Sequence, residues 1–155
     1  MKQKPRDPKA GIFSEGLGID ILYQGFMVAT LVLVSYFVGV YIDTGTFTIA
    51  NNGHGITMAF LTMSIAEVFH SLNMRSQRGS LFKLKKQNVV LWLAALGSFI
   101  ATTLVCEIKP LAEAFSLTEV SFKEYLIAIG IGLCVIPIVE LVKLIQRTVS
   151  ARKER

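Results

Sequence analysis

The sequence predicts an all-α integral membrane protein with four transmembrane helices, and its hydropathy is the first observation behind this prediction. Of the 155 residues, 52% are hydrophobic and 17% are charged, which is too apolar and too poor in charge for an average soluble domain. The apolar residues form four blocks, each approaching the roughly 20 residues that cross a hydrocarbon core about 30 Å thick. The predicted spans are approximately 19–42, 55–72, 88–105 and 125–145.

The distribution of basic residues is the second observation, and it predicts the orientation of the helices. Three segments hold most of the lysines and arginines, whereas the loop 43–52 has none and the loop 107–124 has only two, beside several acids. Because cytoplasmic loops are enriched in Lys and Arg, we expect two antiparallel hairpins with both termini in the cytoplasm. The net charge of +5 therefore follows the topology and does not indicate a nucleic acid partner. The three basic segments contain Lys2, Lys4, Arg6 and Lys9, then Arg75, Arg78, Lys83, Lys85 and Lys86, and finally Arg147, Arg152, Lys153 and Arg155.

The chain divides into a lead-in, a membrane module and a tail. Residues 1–18, with prolines and glycines among the basic residues, predict a cytoplasmic loop and not a helix. Residues 19–148 form the four-helix module, and residues 149–155 form a basic cytoplasmic tail. We expect no cleavable signal peptide, since no short apolar core with a small-residue cleavage site follows the basic start. Cys106 and Cys134 lack a metal-binding spacing and are interpreted as structural thiols.

Local features predict how the spans are shaped. Pro137 should kink the fourth span because proline removes a backbone hydrogen bond, and residues 110–115 (PLAEAF) predict a short interfacial helix in the preceding loop. Asp20 and Gln24 either pair with a neighbouring segment or lie at the membrane interface. Small residues recur in the third span at the spacing that lets another helix approach closely. These residues are Ala94, Gly97, Ser98 and Ala101.

Glu67 is the most informative polar residue because it lies inside an apolar span. A carboxylate at that depth costs roughly 2.5–3.5 kcal/mol on insertion scales, so it is usually paired, hydrated or coordinating. On a helix, Ser71 and Ser64 fall within about 40° and 60° of Glu67, which places oxygen atoms on one face. We predict Glu67 as a cation ligand, with Ser64 and Ser71 as weaker candidates, and interpret His70 as a packing or interfacial residue.

Glu67 also has a structural interpretation, in which it hydrogen-bonds a neighbouring helix. A hard cation such as Ca²⁺ takes six to eight oxygen ligands, so Glu67 and two hydroxyl groups cannot form a site alone. Glu140 and Lys143, three residues apart, are interpreted as a local ion pair with Lys143 snorkelling to the interface. No glycine-rich phosphate loop, Ser/His/Asp grouping or HExxH motif occurs in the sequence. We therefore predict no catalytic residue, no cofactor-binding residue and no hydrolysis by this chain alone.

Three stretches carry a resemblance to a known family, in order and with preserved spacing. They are KPRDPKAGIFS (Lys4 to Ser14), TMAFLTMSIAEVFHSLNMRSQRGSLF (Thr57 to Phe82) and IKPLAEAFSLTEVSFKEYLIAIGIGLCVIPIVELVK (Ile108 to Lys143). Together they resemble the C-terminal membrane module of P-type cation-transporting ATPases, especially the calcium pumps of bacteria. The resemblance implies that the four spans correspond to the last four of ten transmembrane helices and that Glu67 aligns with a glutamate ligand of the family.

The resemblance implies a module that works only with the rest of a pump. The family's phosphorylated DKTG motif, nucleotide-binding domain, TGE loop and ligand-rich middle helices do not occur in this sequence. We therefore expect Ca²⁺ to be the transported ion and Mg-ATP to act only through the missing catalytic portion. The expected partners are the lipid bilayer, in a bacterial cell membrane, and the remaining helices and cytoplasmic domains of a pump. The chain is then a natural fragment, a split subunit or a piece of a longer protein.

Two other functions stay open at this point. The chain is alternatively a free-standing small proton-coupled transporter that uses Glu67, or a non-functional pump fragment that inserts into the membrane and transports nothing. Small four-helix exporters carry their membrane glutamate in the first span and show little charge asymmetry, and neither feature holds here. Proton-coupled efflux by the isolated chain would favour the transporter.

Overall fold

The computed structural model describes residues 17–49, 51–73 and 89–153, and they are almost entirely helical. Four stretches are long and apolar enough to cross a membrane: Asp20–Thr44, Gly53–Asn73, Val89–Glu107 and Phe122–Val149. The prediction of an all-helical protein with four candidate spans is confirmed. The helices are α1 (Leu17–Thr44), α2 (Gly53–Asn73), α3 (Val89–Glu107), α4 (Lys109–Ala114), α5 (Phe122–Leu133) and α6 (Val135–Lys153).

Parts of the predicted organisation fall outside the described residues. The lead-in 1–16 lies there, as does the basic loop between α2 and α3, whereas residues 17 and 18 already belong to α1. At the other end, α6 continues through most of the predicted tail to Lys153. The predicted short helix in the preceding loop is present as α4.

Helix ends are set by local chemistry in the connection between α1 and α2. Gly45 adopts a left-handed conformation with φ of 71°, and its N–H donates to the carbonyl of Tyr41 at 2.8 Å. This is a common way to end a helix, because glycine takes that conformation without steric cost. Asn52 then caps α2, since its Oδ1 accepts a hydrogen bond from the backbone N–H of Gly55 at 2.8 Å.

Helix α2 is the centre of the bundle, and it packs against α1, α3, α5 and α6. Within its most apolar window 44% of the residues are buried, compared with 6% for α3. One buried cluster groups Met58, Leu61 and Ala128 near the start of α2. A second cluster, with Ala66 and Val139, lies towards its end. The helix that carries Glu67 is therefore the most enclosed of the four spans.

Glycines allow the closest helix contacts. A Cβ added to Gly39 of α1 would lie 2.9 Å from the Cα of Gly55 of α2, and one added to Gly132 of α5 would lie 2.7 Å from Cγ2 of Ile65. At Gly130 nothing lies within 4 Å of such a Cβ. Only Gly132, of the two glycines in α5, therefore marks a close approach of helices.

The fourth span is interrupted, as the proline predicts. Helix α5 ends at Leu133, Cys134 forms a turn, and α6 begins at Val135. Pro137 has no N–H to donate, and its ring crowds the carbonyl of the residue four positions earlier, which is Leu133. At the break, the N–H of Cys134 donates to the carbonyl of Ile131, three residues earlier, at 3.1 Å. The interruption therefore precedes the proline by about one turn.

One prediction about a side chain needs correction. Lys143 does not snorkel: it is only 3% exposed, and its Nζ donates to the carbonyl of Asn73 at 2.8 Å. Asn73 is the last residue of α2, and the carbonyls of a helix's last turn are commonly satisfied by groups outside the helix. Glu140 lies 3.7 Å from Arg147.

The small-residue face of α3 is largely exposed. A Cβ at Gly97 would meet nothing within 4 Å among the described residues, and Ala94, Ser98 and Ala101 are also exposed. Ala94 and Ser98 line a groove that α3 shares with α2. The close approach of another helix that this spacing permits stays a prediction.

Candidate functional site

A groove between α2 and α3 contains the predicted cation-ligand residues. It has a volume of about 460 Å³. The α2 side and the α3 side each contribute hydroxyl groups, and Glu67 supplies the carboxylate. The lining residues that carry side-chain oxygen atoms are Ser64, Glu67 and Ser71 of α2 and Ser98 and Thr102 of α3.

Glu67 shares this groove with Ser64 and Ser71 because the three residues follow one face of α2. Positions three and four apart on a helix lie above one another, and all three side chains line the cavity. Glu67 and Ser71 are exposed in this chain. The hydroxyl group of Ser71 donates to the carbonyl of Val68 at 2.6 Å, which leaves its lone pairs as acceptors. The predicted clustering is therefore present, and the ligand role of these residues stays a prediction.

His70 faces a different neighbour. Its Nε2 donates to Oε1 of Gln24 on α1 at 3.2 Å, so its ring is directed towards α1. Gln146 of α6 donates to Asp20 of α1 at 2.7 Å. The two polar residues near the start of α1 therefore pair with neighbouring helices, and their position at the membrane interface stays a prediction.

The groove offers an incomplete set of ligands. Within residues 17–49, 51–73 and 89–153, no group of three His, Cys, Asp or Glu side chains is placed to hold a metal ion. Among the described residues that line the groove, Glu67 supplies the one carboxylate, and the other side-chain oxygen atoms belong to neutral hydroxyl groups. Since Ca²⁺ takes six to eight oxygens, the described lining of this groove falls short of a complete set of Ca²⁺ ligands.

A second cavity on α2 and α3 is unsuited to ions. It has a volume of about 190 Å³, and its lining is almost wholly apolar. Phe69, Trp92 and Phe99 form much of the wall. A cation in this cavity would lose its hydration without gaining ligands.

The sequence analysis missed a polar cluster at the opposite end of α2. Glu124 of α5 is 3% exposed and lies 2.6 Å from Nδ1 of His54, whose Nε2 lies 4.0 Å from Asp43. Ser121 caps α5 in a reciprocal capping box with Glu124. The Ser-x-x-Glu spacing is a known start signal for a helix, so it could have located Glu124, but no sequence signal links this residue to His54.

Comparison with known proteins identifies the family. The family model described as "Cation transporting ATPase, C-terminus" matches residues 1–145. A calcium-transporting ATPase of Bacillus subtilis is 26% identical over 132 residues, which cover 85% of this chain and 14% of that protein. Calcium-transporting ATPase 1 of Bacillus cereus is 25% identical over 158 residues, 95% of this chain and 18% of that protein.

A plant relative also matches most of this chain with a small part of its own length. Calcium-transporting ATPase 3, endoplasmic reticulum-type, of Arabidopsis thaliana is 32% identical over 109 residues, which cover 68% of this chain and 11% of that protein. The chain thus spans less than a fifth of the length of these three relatives. The chain belongs to the cation transporting ATPase family and corresponds to its C-terminal membrane region.

Proposed function

We propose that this chain is the C-terminal transmembrane module of an ATP-driven cation pump that transports Ca²⁺, and that it is inactive alone. The observation that carries the proposal is the family match over residues 1–145. The relatives are calcium-transporting ATPases, which favours Ca²⁺ among the cations. Mg-ATP acts through the catalytic portion of such a pump, and this chain holds no cofactor of its own.

Glu67 contributes one ligand to a cation site shared with the rest of the pump. The groove around it is open, and a Cβ at Gly97 of α3 would meet nothing within 4 Å among the described residues. Helices supplied by the remaining part of the pump would close the groove and add oxygen ligands. Ser64 and Ser71 are secondary ligands in this proposal.

The module crosses the membrane as two antiparallel hairpins with both termini in the cytoplasm. Contacts between α1 and α2 support the first hairpin: Gln24 meets His70, whereas Ser35, further along α1, meets Met58, near the start of α2. The concentration of basic residues before α1, between α2 and α3 and at the C-terminal end of α6 supports the orientation. The membrane is that of a bacterial cell, and the partners are its lipids and the remaining helices and cytoplasmic domains of a pump.

A chimera tests the proposal. Residues 1–155 replace the matching C-terminal segment of the Bacillus subtilis calcium-transporting ATPase, and ATP-dependent ⁴⁵Ca²⁺ uptake is measured in inverted membrane vesicles. The same enzyme truncated before this segment is the matched control. We expect uptake by the chimera and none by the truncated enzyme. A chimera that inserts into the membrane but gives no more uptake than the truncated enzyme would contradict the proposal.

A further inference from the structure

His54 lies between two carboxylates that come from two other parts of the bundle. Its Nδ1 is 2.6 Å from Oε1 of Glu124, at the start of α5, and its Nε2 is 4.0 Å from Oδ1 of Asp43, at the end of α1. Glu124 is 3% exposed, whereas the side chains of His54 and Asp43 are 32% and 40% exposed. The imidazole is therefore reachable by protons from solvent while one of its partners is enclosed.

Both carboxylates are held in position by other donors. Asn52 donates to the second oxygen of Asp43 at 2.6 Å, and the backbone N–H and hydroxyl group of Ser121 reach the second oxygen of Glu124 at 2.6 and 2.7 Å. Among the described residues, His54 is the only basic side chain that lies within 4.0 Å of Asp43 or Glu124. The ring therefore faces two negative charges, one on α1 and one on α5.

The protonation state of the imidazole determines whether it attracts one carboxylate or both. A carboxylate only accepts hydrogen bonds, so Nδ1 carries the proton that is donated to Glu124. In the neutral ring Nε2 then presents a lone pair towards Asp43, and no hydrogen bond can form there. A protonated ring has a donor at each nitrogen and a full positive charge, so it attracts both carboxylates.

We propose that His54, at the start of α2, is a proton-operated clamp that holds the end of α1 and the start of α5 together. Protonation adds the attraction to Asp43 and tightens this end of the bundle, and loss of the proton leaves only the bond to Glu124. Histidine is the side chain whose ordinary titration lies nearest physiological pH. Under the proposed topology this end faces away from the cytoplasm, so the clamp would respond to acidity on that side of the membrane.

Thermal unfolding of the whole chain in lipid nanodiscs tests the clamp. The midpoint is measured at about pH 8 and about pH 6, on either side of the ordinary histidine range, for the wild type, His54→Gln and Asp43→Asn. His70→Gln is the matched control, because it removes the other histidine of the same helix. We expect the midpoint of the wild type and of His70→Gln to rise by about 2–4 °C on acidification, and that of the other two variants to show no such rise.

Asp43→Asn keeps the test decisive if His54→Gln does not fold. Its side chain is partly exposed, and the amide oxygen can still accept the bond from Asn52. A rise of full size in either Asp43→Asn or His54→Gln would overturn the clamp, as would a wild-type midpoint that does not rise. The experiment uses the isolated chain, so its result is independent of whether the chimera transports Ca²⁺.

Discussion

Ser35 and Thr62 connect three helices through buried hydroxyl groups. Oγ1 of Thr62 lies 2.6 Å from Oγ of Ser35 and 3.2 Å from the carbonyl of Ala128 on α5. Ser35 in turn donates to the carbonyl of Met58 at 3.0 Å. Both hydroxyl-bearing residues are fully buried. Because the bilayer core offers no water to such groups, these bonds fix how α1, α2 and α5 meet.

Replacing Thr62 with valine should weaken the bundle. The change preserves the shape of the side chain and removes its hydrogen bonds, and hydrogen bonds between transmembrane helices are worth about 0.6 kcal/mol on average and up to about 1.7. We expect a loss within that range in the free energy of unfolding, measured by detergent-induced unfolding with the fluorescence of Trp92, the single tryptophan.

Thr148→Val is the matched control for this substitution. Thr148 is exposed, and among the described residues its hydroxyl group donates within its own helix, to the carbonyl of Leu144, so its replacement should cost much less. Equal losses for the two variants would show that Thr62 does not contribute through contacts between helices.

Two glutamates in the membrane-spanning helices have opposite surroundings. Glu124 is buried and hydrogen-bonded to His54 and Ser121, as expected of a carboxylate with a structural role. Glu67 is exposed in a groove whose mostly apolar lining also includes hydroxyl groups. Counting the acidic residues in the spans does not separate these two glutamates. Their neighbours do: Glu124 has structural hydrogen-bond partners, whereas Glu67 is a candidate ligand.

At the scale of helices, the sequence predicts the spans well because hydrophobic length is a local property. The predicted second span, 55–72, lies inside α2 (Gly53–Asn73), and Pro137 predicts the break between α5 and α6. What the sequence does not predict is which helix is central. That depends on contacts such as the one between Gly39 and Gly55, which join residues distant in the chain.

The two glycines of α5 give a matched test of helix packing. Gly132→Ala would place a Cβ 2.7 Å from Ile65 and 3.2 Å from the carbonyl of Thr62, whereas Gly130→Ala would meet nothing within 4 Å. Overpacking of this kind costs about 1–3 kcal/mol. We expect the first variant to lose that much in free energy of unfolding and the second to lose none.

The same detergent-induced unfolding checks this pair. The two variants differ only in position along one helix, so helix propensity cannot separate them. If Gly130→Ala were as destabilising as Gly132→Ala, the close contact between α2 and α5 would not be the cause.

At the scale of the whole molecule, the bundle is unevenly packed. Helix α2 is enclosed, whereas α3 is almost bare on the described surfaces. The chain also spans less than a fifth of the length of the calcium-transporting relatives compared above. An open groove, an exposed helix and a short match are what we expect if, as proposed, this chain works as one module of a larger pump.

The isolated chain should not bind Ca²⁺ with micromolar affinity. The groove provides one carboxylate and a few hydroxyl groups, well short of the six to eight oxygens that Ca²⁺ takes. Equilibrium dialysis of the chain in nanodiscs with ⁴⁵Ca²⁺ measures this directly, with Glu67→Gln as the comparison. Micromolar binding that disappears in Glu67→Gln would mean that this chain completes a cation site without a partner.

The candidate site was only partly predictable from the sequence. Helical spacing correctly places Ser64 and Ser71 beside Glu67 along one face, because such spacing needs only one helix. The contribution of α3, through Ser98 and Thr102, depends on how two helices pack, and no period in the sequence encodes it. The direction of His70 also depends on how two helices pack: it lies on α2 as well, but its ring faces Gln24 of α1.

The most direct test of the central claim is Ca²⁺ uptake by the chimeric pump carrying Glu67→Gln. The substitution removes the charge and keeps the size, and Glu113→Gln, at an exposed glutamate of α4, is the matched control. If Glu67 is a ligand of the shared site, half-maximal uptake should require at least about tenfold more Ca²⁺, equivalent to about 1.4 kcal/mol, while Glu113→Gln behaves as the unsubstituted chimera. Uptake with unchanged Ca²⁺ dependence in Glu67→Gln would contradict the account.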